Sequence, residues 1–246
     1  MNHQELVKKI TQELLENDNV LMLILYGSVS RHEEKDNSDI DLLLISKSQD
    51  FQLQKRQQIR NGITVEFVEI QLDFLQNNII AEKGELPIFL AFTNGILLFD
   101  KISAFEELKT ESQIIIDGGP PIDTQWENES YNIKQRSDIT EIYRDLLDVD
   151  DEISFNYIVA LLINRTIPLF YQNNRLWHTT KKKTMNFLKS ECYEGYQFVE
   201  ILLCDRHSLQ DKRDAAKGLL EYVFKPYGGI INGNVIVFTL NNGRMV

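Results

Sequence analysis

The stretch Val20-Leu21-Met22-Leu23-Ile24-Leu25-Tyr26-Gly27-Ser28, followed after ten residues by Asp39-Ile40-Asp41-Leu42-Leu43-Leu44-Ile45, decides how this 246-residue chain is read. The first apolar run has the length and composition of a buried strand, and it stops at a glycine whose missing Cβ lets the backbone approach a ligand closely. Ser28 adds a hydroxyl and an N–H suited to an anion such as phosphate. In the second run the period of two puts Asp39 and Asp41 on one face of a strand, with Ile40 and Leu42 on the other. Two crowded carboxylates repel, and a divalent cation between them relieves the repulsion. Mg²⁺ suits such a site, taking one or two carboxylates and completing its shell with water and substrate phosphates.

Gly27-Ser28 and Asp39-Ile40-Asp41 at this spacing resemble the nucleotidyltransferase superfamily of the polymerase β type. The resemblance implies an enzyme that moves a nucleoside monophosphate from a nucleoside triphosphate to an acceptor hydroxyl, with two metal ions and with ATP as the default donor. It also implies a third carboxylate on a neighbouring strand. Gly62-Ile63-Thr64-Val65-Glu66-Phe67-Val68-Glu69-Ile70 reads as that strand and offers two acids on opposite faces. The apolar flanks that the family gives this acid match Glu66 rather than Glu69. Asp39, Asp41 and Glu66 are thus the implied catalytic and metal-binding set, with Gly27 and Ser28 facing the nucleotide phosphates, while Arg31, just after the turn, is either a further phosphate contact or a solvated loop arginine.

The composition is that of an ordinary globular protein, 43% hydrophobic and 26% charged. No uninterrupted apolar run approaches the roughly 20 residues that span a bilayer, and the N-terminus lacks a basic start and hydrophobic core, so a cytoplasmic protein without membrane contact is expected. Cys192 and Cys204 sit in helical-looking sequence and read as buried thiols. His3, His32, His178 and His207 are scattered without zinc-site spacing, and there is no serine-hydrolase elbow, Walker loop or dinucleotide fingerprint. A net charge of −11 argues against nucleic acid as a partner, since gripping phosphates needs clustered Lys and Arg. Residues 123–152 hold ten acids against three bases. They form either a solvated helix face or an acidic wall attracting a polyamine such as an aminoglycoside.

Along the chain, residues 5–16 show the stripe of an amphipathic helix, with strands expected near 20–26, 39–46, 63–70 and 95–100 and helices near 72–82 and 104–115. Asp117-Gly118-Gly119-Pro120-Pro121 breaks regular structure, so two domains are expected, 1–117 catalytic and 118–246 helical. The apolar period beyond the break predicts helices around 139–147, 155–162, 196–203 and 215–223, then a hairpin at 230–238 turning on Asn232-Gly233. The expected fold class is α+β: a small mixed-sheet nucleotidyltransferase core followed by a helical bundle.

This order resembles the bacterial aminoglycoside nucleotidyltransferases, in particular the streptomycin and spectinomycin adenylyltransferases, with the motif-level likeness confined to residues 20–70. It implies a small-molecule acceptor, antibiotic resistance, and a lysine after a long helix that reaches the triphosphate. Lys181 and Lys182 of Thr180-Lys181-Lys182-Lys183 are the nearest match, with Lys183 also open and a solvated basic helix start as the other reading. Trp126, Tyr131, Tyr171 and Trp177 are either packing residues or stacking surfaces for a base or acceptor ring. Two alternatives keep the fold: transfer to a protein hydroxyl, as by antitoxin-like family members, and a catalytically silent nucleotide-binding regulator.

Overall fold

The computed structural model describes residues 2–47, 50–80, 86–121, 123–231, 240–241 and 244–245. The fold is α+β. The chain forms two compact units, Met1–Pro121 and Ile122–Val246.

The first unit opens with helix α1 (His3–Leu15), whose Asn2 caps the N-terminus reciprocally with Glu5 and whose Leu6, Val7 and Ile10 are buried. Strand β1 (Val20–Tyr26) follows and runs into the short helix α2 (Gly27–Ser30). Then come β2 (Ile40–Ser46), β3 (Leu53–Arg60) and β4 (Ile63–Gln71). A single helical turn α3 (Leu72–Phe74) passes into a π-helical stretch at Leu75–Ile80, where a regular helix over 72–82 was expected. Helix α4 (Leu86–Asn94), strand β5 (Ile96–Asp100) and helix α5 (Phe105–Gly118) complete the unit. α5 stops where Gly119 takes φ +76°.

The five strands form one mixed sheet in the order β3-β4-β2-β1-β5, with β2 and β4 parallel and the other neighbours antiparallel. One face, carrying Leu23, Leu25, Ile40, Leu42, Val65 and Phe67, packs on α1. β3 went unpredicted. Its sequence, Leu-Gln-Lys-Arg-Gln-Gln-Ile-Arg, is polar because it is an edge strand with alternate residues in water. It joins β4 through Asn61 and Gly62, both at positive φ (52° and 79°), as a two-residue primed hairpin turn requires.

In the second unit a 3₁₀ turn (Thr124–Glu127) precedes helices α6 (Glu129–Asp148), α7 (Glu152–Asn173), α8 (Thr184–Glu191), α9 (Tyr193–Leu203) and α10 (Leu209–Phe224). One apolar core links them, with Leu146, Phe155, Leu162, Phe170, Val199 and Leu219 at its centre. By length and composition alone α7 is long and apolar enough to cross a membrane, with a mean hydropathy of 1.4 over 18 residues. Asn156, Asn164 and Arg165 interrupt its apolar run, and its buried face supplies the core of this unit. A 3₁₀ turn (Lys225–Tyr227) ends the bundle, and Arg136 and Arg144 of α6 donate to the carbonyls of Gly229 and Ile231. The expected hairpin at 230–238 falls almost wholly outside the described residues. A short ladder, β6 (Leu240–Asn241) with β7 (Arg244–Met245), lies beyond it.

Candidate active site

The site is built where β1, β2 and β4 present the same face at one end of the sheet. Tyr26 lies opposite Asp41 across the antiparallel β1–β2 pair, and Asp41 lies beside Glu66 in the parallel β2–β4 register. Asp39 sits just before β2, where His3 fixes the approach by hydrogen bonding to the Ser38 carbonyl at 2.8 Å. Asp39, Asp41 and Glu66 thereby come together, all half-buried, with one carboxylate oxygen from each lying within 4.8 Å of the others. Glu69 does not join them. It faces the other side of the sheet, accepting from Gln54 at 3.2 Å and lying 4.0 Å from Arg56.

Gly27 is required here for two physical reasons. Its φ of +77° is a left-handed conformation that a side chain disfavours, and a Cβ built on it would stand 2.1 Å from Asp41 Oδ2. The space that the sequence suggested for a ligand is taken by the Asp41 carboxylate. Ser28 occupies the first turn of α2, whose loop is tightened by Ser30 Oγ donating to the Gly27 carbonyl and by Gln4 donating to the Val29 carbonyl. Arg31 follows directly and pairs with Glu33 at 2.8 Å.

The electrostatics record the crowding. Burial, then the charges of Asp39 and Glu66, push the Asp41 carboxyl up to about 6, against smaller opposing effects of Lys55 and Arg31. Burial and the three acids drive the Tyr26 phenol far above its ordinary range. Lys55 of β3 pairs with Glu66 Oε2 at 2.8 Å, and that hydrogen bond raises its ammonium pKa, with Asp41 and Asp39 adding to the effect. Tyr26 and Lys55 also line a cleft of about 230 Å³ with Leu43, Val68, Pro87, Ile88 and other apolar groups. Neither residue was picked out from the sequence. Three hard carboxylate oxygens with this surplus of negative charge form a donor set that fits Mg²⁺ or Mn²⁺.

Lys181 and Lys182 belong to the second unit, exposed in the turn ahead of α8, with Lys183 at its N-cap. Trp126 packs against Tyr131 and Tyr227, and Tyr171 is fully buried between His178 and Phe187, so Trp126 and Tyr171 serve the core. Of the acids in 123–152, Asp123 and Asp151 cap helices, Asp138 pairs with Lys134 and Asp150 pairs with Arg213. Cys192 is buried and Cys204 half-buried, both as free thiols.

Comparison with known proteins bears on the same region. Residues 8–103 match the family described as Polymerase beta, Nucleotidyltransferase. Among solved structures, a nucleotidyltransferase-like protein from Exiguobacterium sibiricum is similar in fold, with a TM-score of 0.50 over 92% of this chain and 75% of that one, at 14% identity. No curated protein matches the sequence. The matched segment contains β1, α2, β2 and β4 with Gly27, Asp39, Asp41 and Glu66. The likeness to the polymerase β type of nucleotidyltransferase is thus carried by residues 8–103, the segment that holds the acid cluster.

Proposed function

We propose that this enzyme transfers AMP from ATP to a hydroxyl of a small acceptor and releases pyrophosphate, using Mg²⁺ held by Asp39, Asp41 and Glu66. The observation that carries the reading is the convergence of these three carboxylates within 4.8 Å, beside a glycine that no other residue could replace without displacing Asp41. When bound, divalent ions at such a site, two in the proposed mechanism, polarise the phosphate oxygens and lower the pKa of the acceptor hydroxyl. Asp39 and Asp41 supply the first ligands, and Glu66 completes the set.

The residues of the chain do the rest. Backbone N–H groups at the start of α2, at Gly27 and Ser28, face an anion well because the first N–H groups of a helix lack intrahelical partners. Arg31 is the cation nearest that turn in sequence, and it contacts the triphosphate by exchanging Glu33 for phosphate. Glu66 Oε1 receives the proton of the acceptor hydroxyl; the acceptor oxygen bonds to the α-phosphorus, and the bond from that phosphorus to the pyrophosphate oxygen breaks. An aminoglycoside is the proposed acceptor class, supported by the resemblance and by the chain's negative charge.

The test is pyrophosphate release from ATP and Mg²⁺ by the full chain across aminoglycosides, other hydroxylated antibiotics and a protein-containing cell fraction, with Asp39→Asn as blank. Release with a defined antibiotic supports the reading. Release only with the protein fraction replaces the acceptor by a protein hydroxyl, and nucleotide binding without release anywhere overturns the transferase.

A further inference from the structure

Lys55 stands out because its long side chain reaches back over the sheet edge into the acid cluster. It lies on the edge strand β3, opposite Val68 of β4, and so shares the face of Glu66 and Asp41. Its Nζ is 2.8 Å from Glu66 Oε2, although the lysine side chain is 62% exposed and the glutamate 21%. Two ordinary explanations for such a lysine fall short. An exposed ion pair contributes little to stability, so folding gives no strong reason for the contact. A lysine that only guards an edge strand against other chains needs no particular partner, yet this one takes an acid of the cluster itself.

We infer that Lys55 is the internal counter-ion of the acid cluster: its ammonium holds Glu66 while the site is free of nucleotide and lets it go when a divalent cation takes that carboxylate. The inference rests on the proposed metal-binding role of Asp39, Asp41 and Glu66. The physical argument is exclusion. The same Oε2 lone pairs and the same small volume cannot serve an ammonium at hydrogen-bond distance and a divalent ion, and the two cations repel each other. Lys55 therefore weakens cation binding to the free protein. The triphosphate restores that binding by bringing its own negative charge. Lys55 is a positioning residue by this account, acting through Glu66.

The experiment is titration of the full chain, without nucleotide, with Mn²⁺, reading free Mn²⁺ by electron paramagnetic resonance. Lys55→Met and Lys55→Gln are both expected to lower the Mn²⁺ Kd about five-fold, the factor corresponding to an exposed ion pair at the strong end of its range. Removing the exposed charge of Lys8 on α1, in Lys8→Met, is expected to leave Kd within about two-fold, because α1 packs on the opposite face of the sheet from the cluster and an exposed charge is screened by salt. In a Glu66→Gln background the gain from Lys55→Met should vanish, since the competition acts through that carboxylate. Equal Kd values for wild type and both Lys55 variants would overturn the inference and leave the metal reading standing. A gain that persists in the Glu66→Gln background would also overturn it, assigning the effect to the general field. Mn²⁺ binding no stronger in wild type and Lys55→Met than in Asp41→Asn would remove the metal reading and this inference together.

Discussion

Asp41 of the first unit and two aspartates of the second are treated in opposite ways. In the second unit Asp151 and Asp211 cap α7 and α10, where hydrogen bonds hold their carboxyls below the usual range: chiefly the Ser154 backbone N–H for Asp151 and the Ser208 side chain for Asp211. In the first unit no hydrogen bond from the described residues lowers the Asp41 carboxyl in this way. Burial and two neighbouring acids raise its carboxyl to about 6. An acid employed for folding is given donors that stabilise the anion, whereas Asp41, crowded among other acids, is offset only in part by Lys55 and Arg31. The contrast sets the β1–β2–β4 end of the sheet apart as the place where carboxylates are crowded at a cost to stability.

The strongest way to break this contrast is Asp41→Asn. If the cluster holds the reacting metal, transfer should fall by about 10³-fold or more, since a bound ion supplies several kcal/mol of charge stabilisation. Stability should move the other way. A carboxyl whose folded pKa lies above its ordinary value of 3.8 contributes stability that is fully present below that value and lost as pH rises through about 6. Thermal melts in EDTA should therefore show wild type losing stability between about pH 4 and pH 6 relative to Asp41→Asn. After allowance for partial solvent screening, the variant should be more stable at pH 7.5 by about 1–2 kcal/mol. Parallel pH profiles for the two proteins would show that Asp41 bears no such burden.

A pair of glycines sharpens the comparison at intermediate size. Gly27→Ala places a methyl group 2.1 Å from the Asp41 carboxylate in a backbone conformation that alanine resists. It should cut kcat/KM by about 10²-fold, the scale of a misplaced catalytic group, and destabilise by about 1–2 kcal/mol. In the second unit Gly195→Ala drives a methyl group to 2.2 Å from the Phe170 ring, beside Tyr222. That variant should lose about 1–3 kcal/mol by overpacking, with kcat/KM per folded molecule within about two-fold of wild type. Steady-state kinetics and urea melts on the two variants decide whether the two glycines serve different ends.

How much of this was legible in the sequence depended on burial. β1, β2 and β4 announced themselves because strands in the middle of a sheet read as apolar runs, and the acids interrupting those runs could be named. The helices of the second unit were legible through their period, apart from the eight-residue α8, too short to display one. β3 was invisible as an apolar pattern. The signal that could have found it was Asn61-Gly62, the hairpin dipeptide, whereas attention fell on Asn232-Gly233. Missing β3 hid Lys55, since only the β3–β4 register brings residue 55 to the face of Glu66. In the sequence Tyr26 is only the end of a strand, and its place beside the acids depends on its pairing with Asp41 across the sheet.

The smallest effect tests the other side of the contrast. Ser208 accepts from the Asp211 N–H while Asp211 accepts from the Ser208 N–H, so two groups at the start of α10 depend on one reciprocal cap. Ser208→Ala leaves the Asp211 N–H without its side-chain partner and should cost about 1 kcal/mol in urea melts. It should leave Mn²⁺ affinity and kcat/KM unchanged, because the lost bond stabilises a helix end and touches no group of the acid cluster. The value of so mild a variant is that the protein stays fully folded under assay conditions, so any change in activity cannot be charged to unfolding. A drop in Mn²⁺ affinity with Ser208→Ala would mean that the folding energy of the helical unit reaches the carboxylates, and the division between acids for folding and acids for chemistry would then fail.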